Sequence, residues 1–272
     1  MKTISLQDQH FSHSANGYSC DFHPGKKIQW SRSYPYISRT TVFTGNSLHM
    51  VNIQPNKFNV AWLIEPYEIC PYTYQHVLEN RKWFDLILTH DSEVMLAAGN
   101  SAFMPYGDCW IRECDWKIYD KSKLCSIFCS EKKLTPQHIL RHECLTLDGI
   151  DHFGYMNRVA YKLDGLKDYK FSVVVENSNR DDFFTEKIMD CFATGTIPIY
   201  CGTKNIGRYF SEDGIIQFST IDQLRSIISK IKSGEIVYET FLPAIQSNFL
   251  TFRSFVRKDD RVLEILEEKG LI

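Results

Sequence analysis

No stretch of this sequence approaches the roughly 18–20 consecutive apolar residues that a bilayer-spanning helix needs. The first eight residues, Met1 to Asp8, also lack the apolar core of a secretory signal. Charge of one sign is not in excess: the formal net charge is −2, without the basic stripe of a nucleic-acid binder. Short clusters such as Lys132-Lys133 read as solvated surface. The nine cysteines include no Cys-x-x-Cys pair. Cys109/Cys114 and Cys125/Cys129 come closest, so reduced, mostly buried thiols are expected rather than zinc. Internal repeats and low-complexity tracts are missing. So is a Gly-x-x-x-x-Gly-Lys-Ser/Thr loop, which argues against a magnesium-dependent nucleotide hydrolase. These absences leave a soluble protein, expected to be cytoplasmic, peripheral to a membrane at most, with no nucleic-acid partner.

What is present suits a globular chain of 272 residues with 43% hydrophobic and 24% charged content, enough for one large domain or two ordinary ones. The first fifty residues show little periodicity beyond a strand-like Thr41 to Thr44. From Asn59 to Ile64 an apolar run ends at Glu65-Pro66, where proline stops regular structure. A short helix over 72–81 and a buried strand over 84–89, ending at His90-Asp91, follow. Ala102-Phe103-Met104-Pro105 then leads to a turn at Tyr106-Gly107. Residues 108–122 are charged and irregular and read as a hinge. The second half restarts with a strand over 124–129 and a helix over 136–147, with Ile139, Leu140, Cys144 and Leu147 at helical spacing. Further strands are expected over 171–176, 197–200 and 215–218. Helices are expected from Thr185, over 221–231 up to Gly234, and over 256–269. Strands alternating with helices predict an α/β fold of two halves, 1–115 and 116–272, with a cleft between them.

The densest chemistry lies between Phe171 and Gly202. Phe171 to Val175 reads as a strand buried on both faces. It runs into the polar loop Glu176-Asn177-Ser178-Asn179-Arg180-Asp181-Asp182. Ligands of doubly wound sheets bind just beyond such strand ends. Thr185 can cap the next helix, whose free N–H groups suit a diphosphate. Lys187 adds a full charge, Glu186 can accept sugar or ribose hydroxyls, and Asn177 can donate and accept. The same pattern also suits a capped surface helix with a solvated Glu-Lys pair.

The ordered set Tyr169-Lys170-Phe171, Glu176-Asn177-Ser178, Phe184-Thr185-Glu186-Lys187-Ile188 and Gly195-Thr196-Ile197-Pro198-Ile199-Tyr200-Cys201-Gly202 resembles the signature of glycosyltransferase family 10, the α1,3/α1,4-fucosyltransferases. The resemblance covers about thirty-four positions. It implies a GT-B fold, two Rossmann-like α/β domains facing across a cleft, the first for the acceptor and the second for the nucleotide-sugar donor. The last helix is allowed to pack back on the first domain. It also implies an inverting transferase that takes fucose from GDP-fucose to a glycan hydroxyl, with no cofactor and no metal. By the same resemblance Glu176, Asn177, Thr185, Glu186, Lys187, Tyr200 and Gly202 line the donor site. Arg141 matches the family's phosphate-binding arginine, with an ordinary surface arginine as the alternative. Glu65, in Trp62-Leu63-Ile64-Glu65-Pro66, is similar to the family's acceptor-side glutamate and is the candidate base. Glu68 is its rival, and a carboxylate held by backbone N–H groups is the structural alternative. His90 and Asp91 read as structural.

The chain departs from the family pattern at Phe183-Phe184, where a tyrosine is usual, and at Cys201. Its N-terminal half departs most. Asp-x-Asp, which often holds a divalent ion in nucleotide-sugar enzymes, does not occur; Asp181 and Asp182 are adjacent. The partners implied are a GDP-sugar and an oligosaccharide or glycolipid acceptor. A GT-B transferase using another GDP- or UDP-sugar, and an inactive sugar-nucleotide or glycan-binding protein, remain open alternatives.

Overall fold

The computed structural model describes residues 1–8, 22–33, 35–51, 57–155 and 157–272. They form two units, 1–106 with 257–272, and 107–256. The first unit holds six parallel strands: β1 (Lys2–Gln7), β2 (Ile28–Ser31), β3 (Thr40–Thr44), β4 (Phe58–Trp62), β5 (Leu86–Thr89) and β6 (Ser101–Phe103), in the order β2-β1-β3-β4-β5-β6. Helix α1 (Pro71–Glu79) and helix α2 (Ser92–Ala98) connect the later strands. The α2 helix is absent from the sequence reading. Asp91, at the end of β5, caps it by accepting the N–H groups of Glu93 and Val94 at 2.9 and 3.1 Å.

The second unit holds β7 (Lys123–Cys129), α3 (Pro136–Cys144), β8 (Asp151–Gly154), β9 (Tyr169–Val175), α4 (Glu186–Thr194), β10 (Ile197–Cys201), β11 (Ile216–Gln217), α5 (Ile221–Ser233) and α6 (Leu242–Thr251). Its sheet is also parallel, in the order β11-β10-β9-β7-β8. Read from β7, the chain adds β8 on one side and then crosses to β9 on the other. The ends of β7 and β9 therefore flank a topological switch point, where a crevice opens beyond the carboxyl ends of the strands. Apolar residues cover both faces. Phe184, Ile188, Phe192 and Phe210 belong to one core cluster, and Phe171, Val173, Ile199, Leu224 and Ile228 to another.

Residues 108–122 differ from the hinge that their sequence suggests. Cys109 and Ile111 are fully buried in the second unit's core, and the Trp110 N–H donates to Asp190 Oδ1 at 2.6 Å. Backbone that reaches this core is held by it, so the second unit begins at Gly107 rather than 116. The final helix α7 (Lys258–Glu268) sits with the first unit. There Val262, Leu263 and Leu266 join Ile4, Leu6 and Trp30 in one cluster. Its first-turn carboxylates bind back to the β2 region: Asp259 accepts the Trp30 indole N–H at 2.9 Å, and Asp260 accepts the N–H groups of Lys26 and Lys27. Among the described residues no helix is long and apolar enough to cross a membrane.

Candidate active site

The switch point of the second unit is built by three local devices. Strand β9, buried along nearly its whole length, stops at Glu176. Thr185, in extended conformation, opens α4, its hydroxyl accepting the Lys187 N–H. Gly195 closes the helix in the left-handed region at φ 72°. The loop between β9 and α4 is drawn shut by Glu176. Its fully buried carboxylate accepts the Thr185 N–H at 2.9 Å and the Thr185 hydroxyl at 2.7 Å. Asp182, at φ 65°, ties the same loop to the next one. It accepts from Asn205 Nδ2 at 2.7 Å and from the Tyr209 hydroxyl at 2.6 Å. The Asp181-Asp182 pair thus contributes one carboxylate to loop structure.

Charge gathers on this frame. Lys187 Nζ stands 3.3 Å from Glu186, 3.4 Å from Glu176 and 3.0 Å from the Thr185 hydroxyl. Burial works against ionisation of Glu186, but Lys187 and then Lys162 outweigh it and hold the carboxyl at about 2. Arg141 reaches in from α3. Its guanidinium donates to the Val175 carbonyl, at 3.1 Å from Nε and again from Nη2, and to Asn177 Oδ1 at 3.0 Å. The buried face of α3 is His138, Arg141 and Cys144, while Ile139 is half exposed. Of the apolar face expected from spacing, Leu140, Cys144 and Leu147 pack into the core and Ile139 does not, because the hydrogen bonds at the end of β9 turn the charged Arg141 inward. His138, bonded to Thr135 at 2.8 Å, is held down at about 4 by burial, then by the charges of Arg141, Lys187, Lys132 and His142. Arg141 from α3 and Lys187 from α4 therefore both stand beside the end of β9.

Tyr200 is buried in β10, and Gly202 follows it closely. A Cβ on Gly202 would fall 2.3 Å from the Tyr200 hydroxyl and 2.8 Å from Glu176 Cγ, so only glycine fits there. Phe183 and Phe184 are both fully buried. Phe184 packs edge-on to Phe210 and Phe255.

The second unit thus brings together Arg141, Glu176, Asn177, Thr185, Glu186, Lys187, Tyr200 and Gly202. Glu65 belongs to the first unit, half-buried in the turn after β4. Its carbonyl accepts the Tyr74 hydroxyl at 2.9 Å. Glu68 lies in the same turn, and His90 is fully buried with Nε2 3.5 Å from the Tyr74 hydroxyl.

Three residues escaped the sequence reading: His138, Lys162 and Asp190. Only Asp190 carried a signal, as an acid one turn beyond Glu186 on the same helix. Among the described residues no group of three or more His, Cys, Asp or Glu side chains is arranged to hold a metal ion. The described cysteines are free thiols.

Residues 125–253 match the family model "Glycosyltransferase family 10 (fucosyltransferase) C-term". The alpha-(1,3)-fucosyltransferase FucT of Helicobacter pylori is 31% identical over 90 residues, 33% of this chain and 19% of that protein. The chain spans about a fifth of the length of the curated relatives it matches. Among solved structures, an α1,3-fucosyltransferase with GDP-fucose superposes with a TM-score of 0.57 at 15% identity, over 96% of this chain and 90% of that one. HepE of Anabaena in complex with UDP-glucose also superposes at 0.57, with 9% identity, over 87% and 79%. Two parallel-sheet α/β units, with these likenesses, identify the GT-B fold.

Proposed function

We propose that this chain, whose residues 125–253 match the glycosyltransferase family 10 C-terminal model, is a fucosyltransferase that takes GDP-fucose as donor and a glycan hydroxyl as acceptor. The observation that carries the reading is the placement of Arg141 and Lys187 with the start of α4 beside the end of β9. A diphosphate placed there meets fixed cations and helix N–H groups together. Glu186, ionised and beside Lys187, suits a hydroxyl donor of ribose or sugar.

The reaction is a single displacement with inversion. The acceptor oxygen attacks the anomeric carbon, Glu65 takes the hydroxyl proton, and the bond to the GDP oxygen breaks. Negative charge grows on the leaving diphosphate, where Arg141, Lys187 and the α4 N–H groups stabilise it in place of a metal ion. The acceptor is an oligosaccharide or a glycolipid. A second reading, a UDP-sugar as donor, is favoured by the equal superposition on HepE with UDP-glucose.

Calorimetric titration without added metal, against GDP-fucose, GDP-mannose, GDP and UDP-sugars, separates the two. Guanine-selective binding that prefers fucose and weakens in Lys187→Ala supports the first reading. Tighter binding of a UDP-sugar supports the second. Binding indifferent to Lys187 overturns the site.

A further inference from the structure

Behind the first turn of α4 lies a second, deeper ion pair. Asp190 is fully buried, and its Oδ2 stands 2.5 Å from Lys162 Nζ. Oδ1 accepts the Trp110 N–H at 2.6 Å. The Lys162 ammonium lies over the rings of Trp110 and Phe128, at 4.9 and 5.6 Å from their centroids. Burial opposes its charge, but Asp190 and then Glu186 more than offset this, and its pKa is raised. Lys162 comes from a short 3-10 turn between β8 and β9, far from α4 in sequence.

Asp190 is three residues beyond Lys187, so the two are neighbours on the helix surface. Lys162 and Lys187 also line one small cavity, with Phe128, Ser172 and Cys191 on its walls. An ammonium at Lys187 therefore has two places to go. One is the loop side, between Glu176 and Glu186, where the structure holds it. The other is the inner side, toward Asp190. Lys162 already occupies the inner carboxylate.

We propose that Lys162, paired with Asp190, is a positioning residue of the nucleotide site, keeping the Lys187 ammonium on the loop side of α4. This rests on the reading of the site as one for a sugar nucleotide. Lys162 acts through Lys187.

The test compares the wild type with Lys162→Met and with the double variant Lys162→Met/Asp190→Asn. Calorimetric titration with GDP is expected to show roughly tenfold weaker binding in Lys162→Met, the size usual for coupled neighbours. In the double variant the competing carboxylate is gone, and binding returns to within about twofold of wild type. Unchanged binding in Lys162→Met, or a double variant as weak as the single one, overturns the proposal and leaves the pair a packing element. Lys162→Gln repeats the comparison if the methionine variant does not fold.

A ligand-free measurement runs beside it on reductively 13C-methylated protein. The Lys187 signal, identified by its loss in Lys187→Arg, moves in Lys162→Met and returns in the double variant. A signal that stays in place overturns the proposal. If the wild type binds neither GDP nor UDP, the sugar-nucleotide reading fails, and the Lys187 signal still decides whether Lys162 positions it.

Discussion

The two units repeat one strand order and use its switch point differently. In each sheet the first strand is flanked by the second on one side and the third on the other. In the first unit the ends of those strands are bonded together: the Ser47 hydroxyl meets the Gln7 carbonyl, and its oxygen receives the Thr44 N–H at 3.1 Å. Arg32, nearby, forms a bidentate pair with the buried Asp8 at 2.9 and 2.8 Å. In the second unit a long side chain from a helix reaches the end of β9 instead. Arg141 spans from α3 to the Val175 carbonyl, and Lys187 and His138 stand beside it. The same topology thus offers two possible crevices, and the side chains at the strand ends decide which one gathers cations.

The largest expected effect tests the division of labour between the units. Glu65→Gln in the first unit should lower turnover by about 10²–10⁴-fold, the usual worth of a general base. It should leave GDP binding unchanged; parallel losses in both measurements would make Glu65 a structural residue. Next comes the second unit's own charge. Lys187→Ala should cost on the order of 3 kcal/mol of transition-state stabilisation, read from kcat/KM. In the first unit, Arg32→Ala strands the buried Asp8 carboxylate and should lower unfolding stability by about 2 kcal/mol in denaturant titrations. Nucleotide affinity should not change, and a change there would mean that both switch points serve the ligand.

The smallest effect is a pH dependence. His138 titrates near 4 in the folded chain because of burial and the surrounding cations, and near 6.5 when unfolded. Between those values the unfolded chain binds the extra proton, so this contribution to stability is full above pH 6.5 and falls as pH drops toward 4. His138→Gln should flatten the stability profile over that window. An unaltered slope would mean that His138 is not the group responsible.

Much of the second unit was legible in the sequence because its devices are local. A strand buried on both faces reads as an unbroken apolar run. Thr185 announces a helix start, and Gly195 and Gly234 announce helix ends, both at positive φ. The first unit was harder to read. Strand β1 alternates only weakly, and its partners β2 and β3 lie more than twenty residues away. Asp260 reaches Lys27 across more than two hundred residues, and no periodicity reports such a contact. The α3 helix misled for a related reason. Its spacing puts Ile139 on the apolar face, but the carbonyl at the end of β9 offers Arg141 a buried bond that outweighs the pattern.

The sequence by itself determined the strand, capped helix and strand from Tyr169 to Gly202, because backbone conformation, capping and apolar periodicity act within a few residues. Only the tertiary structure decided which polar groups meet: Arg141 with the Val175 carbonyl, Lys187 with Glu176, Lys162 with Asp190. Those pairings depend on distance in space, and chain topology sets that distance whatever the separation in sequence.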